Sequence, residues 1–174
     1  MNLVEFEQFL QEHERDIFSF CRYLTMDSDK AGDLYQDTVL QAYESVDRID
    51  NAKNPKSFFF SMAVGKWKNA RRKAGRRSEI APTVYFEDFD KEVSGGSNPE
   101  EHVQEVFRRD CIHKALAKMD DKFRIPMILF YFDDCGEDTI AKICKIPKGT
   151  VKSRLHKGRA MMREELIKEG FDYE

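Results

Sequence analysis

Apolar positions recur at steps of three and four along almost the whole chain, a spacing that predicts helices rather than strands. Phe6, Phe9, Leu10, Ile17, Phe20, Cys21 and Leu24 trace one face of a first helix, ending near Leu24. Asp27, Ser28 and Asp29 offer caps for a second helix, on which Ala31, Leu34, Thr38, Ala42 and Val46 share a face. Asn54-Pro55 is a start signal for a third. The Asn oxygen can accept from the first turn, and proline at the first helical position gives up no needed hydrogen bond. Phe58, Phe59, Met62, Ala63 and Ala70 are expected to face the core, with Phe60 and Trp67 open to either role.

The period stops at residues 79–97, where Pro82, Gly95-Gly96 and many acids mark a linker. Within it, Val84, Tyr85, Phe86 and Phe89 are apolar enough to dock against something. Helical spacing resumes at Asn98-Pro99-Glu100-Glu101, with Val103, Val106, Phe107, Leu116 and Met119 following. Asp120-Asp121 caps the next helix, which carries Phe123, Ile125, Ile128, Leu129 and Phe132 and should be kinked by Pro126. The last pair is expected at 137–144 and 148–167, joined by Lys145-Ile146-Pro147. The expected fold is all-α: two small helical domains, 1–78 and 98–174, joined by a flexible acidic linker at 79–97. The C-terminal domain ends in a helix-turn-helix.

Composition narrows the function classes. With 41% hydrophobic and 35% charged residues the chain can pack a core, though not a large one, and 14 Phe help fill it. No apolar run approaches the roughly 18 residues of a membrane span, and the acidic start MNLVEFEQFL is unlike a secretion signal. A cytoplasmic protein with no membrane insertion of its own is implied. Cys21, Cys111, Cys135 and Cys144 are scattered, and His13, His102, His113 and His156 add no ligand spacing. Reduced, buried thiols and no metal or cofactor are expected. A Gly-rich phosphate loop, HExxH and GxSxG are all missing, which points away from an enzyme.

Charge changes the picture more, because the net −3 hides strong segregation. Residues 1–50 carry twelve acids against four bases, whereas Lys66 to Ser78 holds seven bases and no acid. Residues 79–105 return to eight acids and one Lys, and Thr139 to Arg163 holds eight bases and no acid. Each basic block alone could be a solvated helix face. Two acid-free blocks on helical patterns suggest two contacts with a polyanion.

Two short helices joined by a three- or four-residue turn, the second one basic, give the outline of a DNA-reading helix pair. On the second helix Val151, Leu155, Gly158 and Met162 fall on one stripe that can pack on Ile140, Ala141 and Ile143. Gly149, Lys152, Ser153, His156, Lys157 and Ala160 lie opposite, with Arg154 and Arg159 at the flanks. Lys152, Ser153 and His156 are therefore candidates for base edges, and Thr150, Arg154, Lys157 and Arg159 for phosphates.

The stretch IPKGTVKSRLHKGR resembles the recognition helix of region 4 in RNA polymerase sigma factors of the extracytoplasmic-function (ECF) type. ALAKMDDKFRIPMILFYF resembles the helices before it. KAGDLYQDTVLQAYESV is similar to region 2.2 of that family, and NPKSFFFSMAVGKWKNARRKAGRR to its regions 2.3 and 2.4. The resemblance implies a promoter-reading subunit rather than an enzyme. It implies that Asp33, Gln36 and Asp37, with Leu34 nearer the core, meet the clamp helices of the largest subunit of core RNA polymerase. It also implies that Asp50, Asn51, Lys53 and Asn54 shape a base pocket in the downstream promoter element. Lys66, Lys68, Asn69, Arg71 and Arg72 would then line the path of the melted strand. Promoter DNA, core polymerase and an anti-sigma factor are the implied partners.

The chain departs from the family pattern at Gly65, where Asn is usual, and at Asn69, where Asp is common. Lys145 stands where the turn usually has Gly; if the left-handed conformation is kept, Lys costs on the order of 1 kcal/mol. Cys135 and Cys144 stand where Leu is usual, which favours burial over redox sensing. Two other readings remain: a DNA-binding regulator that uses only the terminal helix pair, and a helical interaction protein with solvated charge runs.

Overall fold

A computed structural model describes residues 1–50, 53–75 and 99–171, with side chains of the last stretch described from 107 onward. Among these residues the chain forms seven α-helices and one short 3-10 turn, with no strand. The linker at 79–97, Arg76, Arg77 and the side chains of Val103 and Val106 lie outside the described residues.

Local sequence explains the starts of the first three helices. α1 (Leu3–Thr25) opens on a capping box, in which Asn2 accepts from the Glu5 amide at 2.9 Å and Glu5 accepts from the Asn2 amide at 2.8 Å. α2 (Ser28–Glu44) is capped by Asp27, whose carboxylate accepts from the Lys30 amide at 3.0 Å. This helix stops short of Val46, which sits half-buried in the 3-10 turn Val46–Arg48. The Ser45 amide bonds back three residues to the Ala42 carbonyl, tightening the chain out of the α-helix.

α3 (Pro55–Gly75) begins at the expected signal, with Asn54 accepting from the Ser57 amide at 3.3 Å. Its buried face is rotated from the expected one. Phe59, Phe60, Ala63, Val64 and Trp67 are buried, Phe58 and Met62 are half-buried, and Ala70 is exposed. The partner helix sets this rotation. Phe20 of α1 meets Phe60 at 4.3 Å between ring centroids, and Phe59 stacks on Phe9 at 5.2 Å.

The C-terminal helices are α4 (Pro99–Lys118), α5 (Asp121–Tyr131), α6 (Glu137–Cys144) and α7 (Lys148–Lys168). Leu116, Ile125, Ile128, Leu129, Ile140, Val151 and Leu155 form their interior. Phe107 and Phe132, expected in that interior, are 50% and 43% exposed. Phe107 stacks on Phe171 at the surface, while Phe132 lies beyond the end of α5 and meets Tyr23 of α1. α5 runs through Pro126 to Tyr131. The carbonyl that proline leaves unpaired in the helix belongs to Lys122, whose residue is exposed, so water can take that bond.

Lys145 closes α6 in the left-handed conformation, φ 56° and ψ 49°. The Ile146 amide reaches back to the Ala141 carbonyl at 3.1 Å, which is the bond that conformation makes possible. Where α7 crosses α5, Gly158 lets the helices approach closely. A Cβ there would lie 2.7 Å from Cγ of Met127.

The two halves are not separate bodies. α1 packs on α5 and α3 on α6, and one continuous apolar cluster runs from Phe6 through Trp67 to Leu155.

Two substitutions test these local constraints in urea unfolding followed by circular dichroism. Lys145→Gly is expected to raise stability by up to about 1 kcal/mol, by relieving the left-handed strain. Gly158→Val is expected to lower it by about 1–3 kcal/mol through overpacking against Met127.

Candidate nucleic-acid interface

The terminal helix pair holds its polar face away from the core. Val151, Leu155 and Gly158 are buried, as is the facing Ile140 and Ile143, while Lys152, Ser153, His156, Lys157 and Arg159 are exposed. Thr150 and Arg154 are half-buried. Met162, expected on the buried stripe, is half-buried. Several cations already have weak anionic neighbours. Lys148 Nζ donates to Asp138 at 2.8 Å, and Lys152 Nζ lies 3.8 Å from Glu137. The Lys148 hydrogen bond holds the Asp138 carboxyl below its ordinary pKa. Exposed pairs of this kind contribute little, so these lysines can exchange a carboxylate for a phosphate at small cost.

Two cations of this face are anchored on aromatic rings. Arg159 Nε donates to the Tyr131 hydroxyl at 2.6 Å, and its guanidinium lies 5.4 Å from the centroid of Phe130. Lys157 Nζ sits 5.3 Å from the centroid of Phe123. These contacts fix where the charges stand at the flank of α7, towards α5.

On α3, Lys68, Asn69, Arg71 and Arg72 are exposed and Lys66 is half-buried. Arg72 donates to Asn69 at 3.3 Å. Lys68 and Arg71 turn towards the C-terminal helices instead. Lys68 Nζ donates to the Cys144 carbonyl at 3.3 Å, and Arg71 Nε lies 3.5 Å from Asp121. Trp67 is 8% exposed, and its indole N–H donates to the same Asp121 oxygen at 3.0 Å. In the loop before α3, exposed Asp50 and Lys53 pair at 3.2 Å and Asn54 serves as a cap. Asn51 lies outside the described residues.

The acidic face of α2 presents Asp33, Gln36 and Asp37 together at the surface. Leu34 lies beneath them, nearer the core as expected. At 7% exposure it is a core residue, and it supports that surface from beneath.

Sequence reasoning missed Asp121 and Arg124. Arg124 is 6% exposed; its Nη2 donates to the Leu24 carbonyl at 3.1 Å and pairs with Asp121. Burial lowers the Arg124 pKa, an effect opposed by the Asp121 carboxylate. The three-residue spacing from acid to base was visible, but nothing in it marks the base as buried. Also missed was an apolar cavity of about 740 Å³ lined by Ile112, Leu116, Met127, Phe132, Met162 and Leu166, with Arg159 and Arg163 also on its wall.

All four cysteines are free and buried, as expected. Burial pushes the Cys21 thiol up to about 12 and the Cys135 thiol to about 11, far from the thiolate needed for reactivity. Among the described residues no cluster of His, Cys, Asp and Glu could hold a metal ion, and no helix is long and apolar enough to cross a membrane.

Against this geometry, the family model of Sigma-70 region 2 matches residues 9–77 and that of Sigma-70, region 4 matches residues 109–162. Together they span more than half of the chain, with α3 in the first and α7 largely in the second. The ECF RNA polymerase sigma factor SigW of Bacillus subtilis is 26% identical over 165 residues, covering 92% of this chain and 88% of SigW. The chain belongs to the ECF sigma factors. ECF sigma factor SigL of Mycobacterium tuberculosis is 28% identical over 146 residues, covering 83% of this chain and 79% of its own. Among solved structures, sigma factor RpoE of Bartonella quintana, in complex with the anti-sigma factor NepR, is similar at TM-score 0.74 and 26% identity. That match covers 93% of this chain and 96% of RpoE. In this ECF factor α1–α3 make up most of the region 2 match, and α5–α7 most of the region 4 match.

One half-buried carboxyl of this ECF factor sets a pH dependence. Burial raises Asp133 from its ordinary 3.8 to about 7, partly opposed by Lys56. The fold thus favours the protonated form. Its contribution is fully present below the ordinary value and is lost as pH rises through about 7. Asp133→Asn removes this loss, so its thermal midpoint is expected to gain on wild type at pH 8 and not at pH 4.

Proposed function

We propose that this ECF factor brings core RNA polymerase to a set of promoters and reads two elements of each. Residues 1–78 act as region 2. The α2 face of Asp33, Gln36 and Asp37 docks on the basic clamp of the largest polymerase subunit. Lys66, Lys68, Asn69, Arg71 and Arg72 of α3 follow the melted strand, beside a pocket formed by Asp50, Asn51, Lys53 and Asn54. Residues 98–174 act as region 4, and residues 79–97 connect the two. Lys152, Ser153 and His156 of α7 read base edges in the upstream element, while Thr150, Arg154, Lys157 and Arg159 hold phosphates. The protein works in the cytoplasm as a non-catalytic subunit: it supplies binding and orientation, and polymerase supplies the chemistry.

The observation that carries this reading is the exposed polar face of α7 on a buried apolar stripe, within a match to region 4 that follows a match to region 2. An anti-sigma factor would hold the protein inactive, as the complex of the similar RpoE with NepR suggests. The cavity walled by Met127 and Met162 offers such a partner an apolar seat beside two arginines.

Run-off transcription with purified core polymerase and candidate promoter fragments is the test. Initiation that depends on both this protein and the promoter sequence is expected. Tight duplex binding by the free protein, with no effect on polymerase, would sink the proposal. Lys152→Ala and His156→Ala are expected to change preference among upstream sequences. Lys157→Ala should instead weaken binding evenly and lower the salt slope by about one. Arg72→Ala should reduce run-off from duplex promoters more than from templates already melted downstream.

A further inference from the structure

At the crossing of α7 over α5, two cations of α7 leave the contact on opposite sides. Gly158 marks the crossing, where an added Cβ would lie 2.7 Å from Cγ of Met127. Lys157 precedes it and reaches the Phe123 ring, with Nζ 5.3 Å from the centroid. Arg159 follows it and reaches the other end of α5, where Phe130 and Tyr131 stand. Phe123 and Tyr131 lie one turn to either side of Met127. The close approach that glycine permits thus gives each cation an aromatic neighbour on α5.

Arg159 is held the more firmly of the two. The Phe130 and Tyr131 rings meet edge to face at 5.0 Å and 70°, which makes a corner for the guanidinium. Its Cζ lies 5.4 Å from one centroid and 5.8 Å from the other, and Nε donates to the Tyr131 hydroxyl at 2.6 Å. Neither the rings nor the hydroxyl carry a charge, so Arg159 keeps its own in full for an incoming anion. Lys148 and Lys152 have a carboxylate to exchange first. With Nε taken, the two Nη groups still form a fork that can grip phosphate oxygens. Tyr131 is 51% exposed, so the pair stands where a DNA backbone can reach it.

A long flexible side chain loses rotamer freedom when it binds. The aromatic corner takes that loss during folding, before any DNA arrives. We propose that Tyr131 is a positioning residue of the upstream-element interface, which with Phe130 holds Arg159 in the pose that meets a phosphate. α5 then belongs to the interface without touching a base. This inference rests on the phosphate-binding reading of Arg159.

The test measures binding of the holoenzyme, made from the full-length chain and core polymerase, to a fluorescein-labelled promoter duplex that supports run-off. Tyr131→Phe keeps the ring and removes the hydroxyl. It is expected to weaken binding roughly threefold to tenfold, with the salt slope unchanged because no charge is lost. Arg159→Ala should weaken binding and lower that slope by about one. In the double variant, Tyr131→Phe should add nothing to the loss from Arg159→Ala. Phe130→Leu removes the other wall of the corner and should repeat the behaviour of Tyr131→Phe. Wild-type binding by both aromatic variants, beside a weakened Arg159→Ala, would overturn the positioning role and leave the phosphate reading intact. A loss from Tyr131→Phe that persists in the absence of Arg159 would overturn it as well. The phosphate reading fails on a different result, wild-type affinity and slope in Arg159→Ala, and the positioning role falls with it.

Discussion

A single buried guanidinium ties the molecule into one body. Arg124 sits at the junction of the two domains, and removing a full charge from water is costly unless donors and acceptors match. Nη2 is matched from both sides, while the buried Nε has no hydrogen-bond partner: the Asp121 carboxylate belongs to the C-terminal domain and the Leu24 carbonyl to the N-terminal one. Parting the domains therefore takes one of its two acceptors from Arg124. The apolar contacts around it, Tyr23 on Phe132 and α3 on α6, add area but little direction. The polar centre sets the register in which that area is buried.

The same junction decides how the basic groups of α3 divide. Arg72 and Asn69 pair with each other at the surface, while Trp67, Lys68 and Arg71 turn inward to region 4. On α7 the division is different. Its stripe of Val151 and Leu155 faces the region's own core, and its cations remain outside. The basic face of α7 is thus open, and that of α3 is partly engaged by its neighbour.

Much of this was legible from residues alone, because short-range chemistry dictated it. The caps at Asp27 and Asn54 act on amides three residues away, and the left-handed Lys145 is fixed by a turn of a few residues. Apolar spacing likewise found the core stripe of α7. What the spacing left open or misplaced was decided by a distant helix. Phe60 and Trp67 are buried because α1 and α5 approach that side of α3, and no periodicity within α3 contains that information. Leu34, expected nearer the core than its polar neighbours, is buried on the face it shares with Ala31 and Thr38. Asp121 looked like one of two capping acids. Its real partners, Trp67 and Arg71, stand more than forty residues earlier, and Asp120 at the cap position makes no side-chain capping bond.

The close approach at Gly158 links two surfaces that seem independent. Met127 lines the apolar cavity on one side, and the position a Cβ would take on Gly158 lies 2.7 Å from its Cγ on the other. Gly158 is one turn or less from the exposed His156 and Lys157, the residues proposed to meet the upstream element. A protein segment that filled the cavity and displaced Met127 would press on the underside of α7. Occupancy of the cavity and the position of α7 would then share a single mechanical part.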